Sequence, residues 1–161
     1  MRRHVRMTVR WLRWLLNLYP PYLWSGVRVR ALSADFRYIR VELGLHFYNR
    51  NYVGTHFGGS LFSMTDPFYM LMLLHNLGPA YIVWDRSATI TFRKASKARV
   101  SAVFRLDEAV LDELRVAASS GEPVLRTWKV EVREADGDVV AEVEKTLYVR
   151  LKPEHRPVEG A

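Results

Sequence analysis

Cysteine is absent from this chain of 161 residues, which excludes disulfide bonds, thiolate metal sites and a cysteine nucleophile. No uninterrupted apolar run approaches the roughly 20 residues that a membrane-spanning helix requires. The five histidines fall at no metal-ligand spacing, so the sequence predicts no metal site. A chain without thiols is indifferent to redox conditions, and this fits the cytoplasm as its predicted location.

The chain also lacks a recognisable nucleic-acid-binding module. Its 24 basic and 17 acidic residues give a net charge of +7, which favours polyanionic partners such as nucleic acid, anionic lipid or a phosphate-bearing ligand. The basic residues are spread from Arg2 to Arg156, without the interleaved aromatic residues of a nucleic-acid-binding face. The sequence therefore argues against nucleic acid as the partner.

Hydrophobic residues make up 49% of the chain, which is enough to build the core of one domain. We therefore predict a single domain over residues 1–161. Residues 1–22 form its N-terminal amphipathic helix and entry segment, and residues 153–161 form a flexible tail.

Residues 2–18 have the spacing of a basic amphipathic helix, and two interpretations of it stay open. In one, the helix binds a membrane surface. In the other, it lays Trp11, Trp14 and Leu15 on the domain and leaves its arginines in solvent. The second is favoured because two prolines lead straight from the helix into the next segment.

The centre of the chain is a stretch of apolar residues, 58–77, that begins with Gly58-Gly59 and contains one carboxylate, Asp66. A helix that is apolar on all sides must be covered by the rest of the protein. The two glycines have no Cβ, so a ligand can approach their backbone closely. A helix that starts here also leaves its first N–H groups unpaired, and these can bind an oxyanion or a polarised carbonyl.

Alternating apolar residues predict six strands around this helix, together with a short helix over residues 107–118. The predicted strands are residues 27–32, 36–45, 81–93, 99–106, 125–134 and 138–151. Consecutive antiparallel strands with one buried helix indicate an α+β protein whose curved antiparallel sheet wraps around one long central helix. Because such a sheet has an exposed edge, we expect a homodimer or a tetramer.

Several short motifs resemble those of one known group of proteins. They are Asn51, Gly54-Thr55, Phe57-Gly58-Gly59, Met64-Thr65-Asp66-Pro67, Phe92 and Thr146-Leu147-Tyr148-Val149-Arg150. The chain resembles the hotdog-fold thioesterases of the phenylacetyl-CoA type, whose helix begins with His-Gly-Gly and carries a catalytic Asp at this spacing. It is most similar to an uncharacterised thioesterase-like branch of that superfamily.

The resemblance implies a hotdog fold, a dimer with sites at its interface, and hydrolysis of an acyl-CoA thioester without a further cofactor. Asp66 matches the catalytic acid that activates water, and Gly58 matches the backbone donor to the thioester carbonyl. Asn51 matches a loop residue that helps to place substrate or water. Phe57 replaces the histidine of the motif, and His56 lies one residue too early to take its role.

Further residues are predicted to contact the substrate: Thr55, His56, Gly59, Met70, Arg93, Lys94, Lys97 and Arg99. The four cations suit the phosphates of coenzyme A, although a solvated turn explains them equally well. The histidine can instead satisfy backbone groups of its loop, or point to a hotdog dehydratase, although the proline and the glutamate of that group are missing. The methionine can simply belong to the core.

Asp66 also has a structural interpretation, because Asp followed by Pro is typical of a helix N-cap with proline at the first helical position. On that interpretation the helix starts at Pro67, and Asp66 only fixes its first turn. A matching alternative for the whole protein is a non-catalytic acyl or acyl-CoA binding protein that keeps the groove without the chemistry.

Overall fold

A computed structural model describes residues 8–156 of the chain. Six antiparallel strands form one sheet in the order β1-β2-β4-β5-β6-β3. The strands are β1 (Val27–Leu32), β2 (Tyr38–Leu43), β3 (Tyr81–Phe92), β4 (Val100–Arg105), β5 (Val124–Arg133) and β6 (Val139–Leu151). All six predicted strands are present, and their ends move by at most a few residues.

Within residues 8–156, five α-helices accompany the sheet: α1 (Val9–Leu18), α2 (Pro20–Ser25), α3 (Gly58–Ser63), α4 (Phe68–Leu77) and α5 (Glu108–Ala117). The predicted central helix begins at Gly58 and ends at Leu77, but it is two helices, because residues 64–67 interrupt it. Pro67 explains the break, since proline has no N–H for the hydrogen-bond ladder and restricts the residue before it.

The core lies between the α3–α4 pair and one face of the sheet. Phe68, Met72 and Leu73 of α4 are fully buried, and Phe68 packs against Phe104 of β4 with 5.0 Å between the ring centroids. On the other side, Phe68 stacks on Tyr22 of α2 at 5.8 Å. The predicted α+β class, with a helix packed against an antiparallel sheet, is therefore confirmed.

The inward-facing residues of β6 follow the predicted alternation except at its start. Ala141, Val143, Leu147 and Val149 are buried on alternate positions, but Val140 is fully buried as well, whereas Val139 is only half-buried. A register shift between Val132 and Arg133 of the facing strand β5 moves the pattern by one residue there.

The two chain ends are described only in part. Residues 9–18 of the predicted N-terminal helix form α1, and residues 1–7 lie outside the described part. Of the predicted flexible tail, Pro153–His155 form a short 3₁₀ turn, and residues 157–161 lie outside the described part.

The prediction for the buried face of the N-terminal helix is wrong. Trp11, Trp14 and Leu15 are 60%, 54% and 44% exposed, so they do not pack on the domain. The helix is attached instead by Leu16, which packs against the core, and by Asn17, whose side chain exchanges two hydrogen bonds with the backbone of Val29 in β1 at 2.7 and 3.1 Å. Backbone groups at the edge of a sheet need partners, and a polar side chain satisfies them better than an apolar one.

Candidate active site

A tightly bonded loop leads into α3. The Asn51 amide donates to the Thr55 hydroxyl at 2.8 Å and to the carbonyl of His56 at 3.2 Å, and its oxygen accepts from the Thr55 N–H at 3.0 Å. An amide with these bonds closes the loop on itself. Asn51 therefore stabilises the conformation of this loop.

His56 is 4% exposed and holds this loop against the segment that follows β3. Its backbone N–H donates to the carbonyl of Ser96 at 3.0 Å, and its ring Nε2 lies 2.7 Å from the carbonyl oxygen of Ala98. A carbonyl can only accept, so Nε2 carries the proton. No described residue forms a hydrogen bond with the buried Nδ1 atom.

The two glycines at the start of α3 make room for aromatic rings. A Cβ at Gly58 would lie 2.9 Å from the Phe92 ring, and a Cβ at Gly59 would lie 2.3 Å from the Phe57 ring. As the first residue of α3, Gly58 has no intrahelical acceptor for its N–H. This N–H can therefore polarise the carbonyl group of a ligand that binds at the N-terminus of α3.

Six of the predicted site residues line one pocket of about 350 Å³. They are Asn51, Thr55, His56, Gly58, Arg93 and Lys94, joined by Leu61, Phe92, Ala95 and Ser96. The fold brings them together because the loop before α3 is bonded to the segment that follows β3. The lining combines the backbone of Gly58 with two cationic side chains, Arg93 and Lys94.

The cations at the pocket already have acidic partners. Arg93 pairs with Glu142 at 2.9 Å, and Lys94 pairs with Glu134 at 3.0 Å and with Asp138 at 2.7 Å. These ion pairs raise the pKa of both cations, so they stay charged. Ion pairs in contact with water are weak because the solvent screens them, so a phosphate can compete for the same cations.

Other predicted contacts lie elsewhere. Met70 packs against the core cluster, and Gly59 lines a separate groove beside α2. Arg99 pairs with Glu42 at 3.3 Å, and Lys97 is exposed.

Carboxylates close enough to share a metal ion occur in the described residues at the turn between β5 and β6. Glu134, Asp136 and Asp138 lie there with ligand atoms within 4.8 Å of one another. Lys94 binds two of the three, and this ion-pair network accounts for the group.

Asp66 does not line the pocket that contains Gly58. It lies in the break between α3 and α4, and Lys145 of β6 contacts its Oδ1 atom. The side chain of Asp66 is 47% exposed, whereas that of Lys145 is only 2% exposed. The half-exposed carboxylate of Asp66 is therefore held in place by the buried ammonium group of Lys145.

Lys145 has a second acidic neighbour in β3. Its Nζ atom lies 3.3 Å from Oδ2 of Asp85, while Oδ1 of Asp85 is buried and accepts no hydrogen bond from any described residue. Burial raises the pKa of the Asp85 carboxyl above its ordinary value, and the nearby Lys145 opposes that shift. The Lys145 ammonium thus balances the negative charges of Asp66 and Asp85 at a site where an unpaired buried charge would cost free energy.

The backbone of Asp66 is held as well. The buried hydroxyl of Tyr22 donates to the Asp66 carbonyl, and burial raises the pKa of this phenol, so it keeps its proton. The alternative role as helix N-cap is wrong: α4 starts at Phe68, Pro67 occupies the cap position, and none of the described side chains caps the helix. Lys145 holds the Asp66 carboxylate in place of the helix N–H groups.

Sequence reasoning missed Lys145. The signal was present, since Lys145 falls between Val143 and Leu147 on a strand whose alternate residues face the core. A lysine at such a position needs an acidic partner. The sequence pattern could not identify which carboxylate it was.

The architecture of the chain is similar to that of solved hotdog-fold proteins, and the predicted fold is confirmed. A protein of unknown function from Pseudomonas aeruginosa, PA5026, named a probable thioesterase, has a TM-score of 0.75 at 21% identity. The match covers 87% of this chain and 93% of that one. The thioesterase HI1161 from Haemophilus influenzae has a TM-score of 0.65 at 14% identity, with 93% and 95% covered. Identities this low establish the fold alone.

The chain belongs to the family described as "Domain of unknown function (DUF4442)", which matches residues 8–149. A search of curated proteins found no match. The family description assigns no activity, so the activity has to be inferred from the site.

Proposed function

We propose that the protein hydrolyses an acyl-CoA thioester at a site shared between two copies of the chain. The observation that carries the proposal is the pocket that gathers Asn51, Thr55, His56, Gly58, Arg93 and Lys94. It offers a backbone N–H for the thioester carbonyl and cations for phosphates. The thioesterase names of two structural neighbours point in the same direction.

The second copy is needed because Asp66 lies outside this pocket in its own chain. Strand β3 is paired with β6 on one side and has no strand partner on the other within residues 8–156. Pairing the β3 edges of two copies would cover this exposed edge. Asp66 of one copy would then face the Gly58 N–H of the other.

The reaction divides between the two copies. The free oxygen of Asp66 takes a proton from water while the water oxygen attacks the thioester carbon. The Gly58 N–H stabilises the oxyanion of the tetrahedral intermediate. When the C–S bond breaks, the proton passes to the departing sulfur, so the products are a carboxylic acid and the free thiol. Lys145 holds the base in place throughout.

The experiment is a free-thiol release assay over acyl-CoA substrates of increasing chain length, with wild type and Asp66→Asn. We expect turnover by the wild type, and a loss of at least about 100-fold in the variant because a general base contributes on the order of 100-fold or more. Equal turnover by both proteins on every substrate would reject the assignment of Asp66.

A second candidate function is non-catalytic binding of acyl-CoA. The observation that favours it is the ion pair, because Lys145 neutralises the charge of Asp66 and a purely structural pair would look the same. The same assay separates the two functions. A wild type that binds acyl-CoA in a direct binding measurement and releases no thiol is a binding protein.

A further inference from the structure

Helix α1 presents an apolar stripe to solvent. Trp11, Trp14, Leu15 and Leu18, the α1 stripe, are 60%, 54%, 44% and 46% exposed. Spacings of three and four residues put them on one face of the helix. Asn17 turns the other way and bonds to β1. The helix is thus attached by Asn17 and by Leu16, which packs against the core, while both of its tryptophans stay exposed.

The positive charge of the protein is concentrated in the same part of the chain. The first 34 residues contain seven arginines and no Asp or Glu, whereas the rest contains 17 basic and 17 acidic residues. The whole net charge of +7 therefore belongs to this segment. The arginines are Arg2, Arg3, Arg6, Arg10, Arg13, Arg28 and Arg30.

We propose that the α1 stripe docks on the surface of an anionic lipid bilayer. Helices that lie in the plane of a membrane interface combine exposed tryptophan and leucine with arginine, and α1 has this composition. Tryptophan suits this depth because its ring is apolar and its N–H remains hydrated. Among residues 8–156, no helix is long and apolar enough to cross a membrane.

Charge argues for lipid over a second copy of the chain as the occupant. A two-fold contact of the α1 stripe with itself would bring two segments of seven arginines together, and like charges repel. An anionic bilayer attracts the same residues. The β3 edge, where the dimer is proposed, lies at the other end of the sheet from β1, on which α1 packs. Docking and dimer formation are therefore compatible.

The test is co-sedimentation of the full chain with vesicles of phosphatidylcholine, alone or mixed with phosphatidylglycerol. We expect binding to the mixed vesicles only, weakened by added salt. Trp11→Ser together with Trp14→Ser should weaken it at least about tenfold. Arg10→Gln together with Arg13→Gln should weaken it by roughly 30-fold, the equivalent of two basic side chains at an anionic surface.

Matched control variants change the same kinds of residue elsewhere. Val116→Ser with Leu125→Ser removes two exposed apolar side chains, and Lys129→Gln with Arg133→Gln removes two cations. Both should bind vesicles like the wild type. Wild type that does not sediment with the mixed vesicles, or binding that survives the tryptophan substitutions, would overturn the proposal. So would a larger wild-type assembly, by light scattering, that dissociates in the tryptophan variant without any vesicle binding.

Discussion

Lys145 is the residue on which the candidate base depends. It is 2% exposed and contacts Asp66 and Asp85, which are 47% and 26% exposed. A buried ammonium without its carboxylates would be strongly unfavourable, and so would these carboxylates without the ammonium. The three side chains therefore hold one another, and Asp66 is the most exposed of them.

We predict that Lys145→Met lowers both stability and turnover. It leaves Asp66 and Asp85 close to each other without a cation, which should reduce the free energy of unfolding by about 2 kcal/mol. Turnover should fall at least about tenfold, because a base that is no longer held in place loses the benefit of fixed orientation. Urea unfolding and thiol release measure the two effects.

Two variants separate positioning from stability. Lys129→Met removes an exposed lysine that pairs with Glu144 at 2.8 Å, and it should leave both the free energy of unfolding and turnover almost unchanged, because water screens such a pair. Lys145→Met combined with Asp85→Asn should recover part of the lost stability but no turnover. Full turnover by Lys145→Met would show that Asp66 does not need this lysine.

At the scale of elements, β3 is the strand that the proposal depends on. It has 12 residues, and only β6 pairs with it among the described strands. Trp84 and Phe92 on it are 47% and 55% exposed. Long edge strands with exposed aromatic residues invite pairing with another chain.

Charge added to this edge should break the dimer. Thr89→Lys together with Thr91→Lys would place four added cations along a two-fold β3 pairing, where like charges face each other and repel. We expect the sedimentation coefficient to fall to that of a single chain, and thiol release to be lost with it. Val103→Lys with Leu125→Lys adds the same charge to exposed residues of β4 and β5 and should do neither. A double variant that stays assembled would exclude β3 as the contact.

The helices and strands also show which features of the fold sequence patterns can predict. Alternation predicted every strand, because one face of each strand is buried. The glycine pair predicted the start of α3, where a Cβ would lie 2.9 Å from the Phe92 ring at Gly58 and 2.3 Å from the Phe57 ring at Gly59. The predicted orientation of α1 was wrong, because an amphipathic pattern distinguishes the two faces of a helix without saying which one packs on the domain. Contacts distant in sequence, such as Lys145 with Asp66, leave no local pattern.

In the whole molecule, the groups that the proposed reaction needs do not meet within one chain. Gly58 and the cations lie at one pocket, and the Asp66 carboxylate lies outside it. The exposed β3 edge offers a way to bring the two parts together from different copies. We therefore propose that one active site takes its base from one chain and its oxyanion donor from the other.

Subunit mixing tests whether two chains share each active site. Asp66→Asn removes the base, and Gly58→Leu fills the space next to the oxyanion donor, so each variant alone should release no thiol. When the two are unfolded together and refolded, mixed dimers contain one intact site. Random assortment predicts roughly a quarter of the wild-type thiol release for the mixture. A mixture as inactive as the separate variants, beside an active wild type, would contradict the shared site.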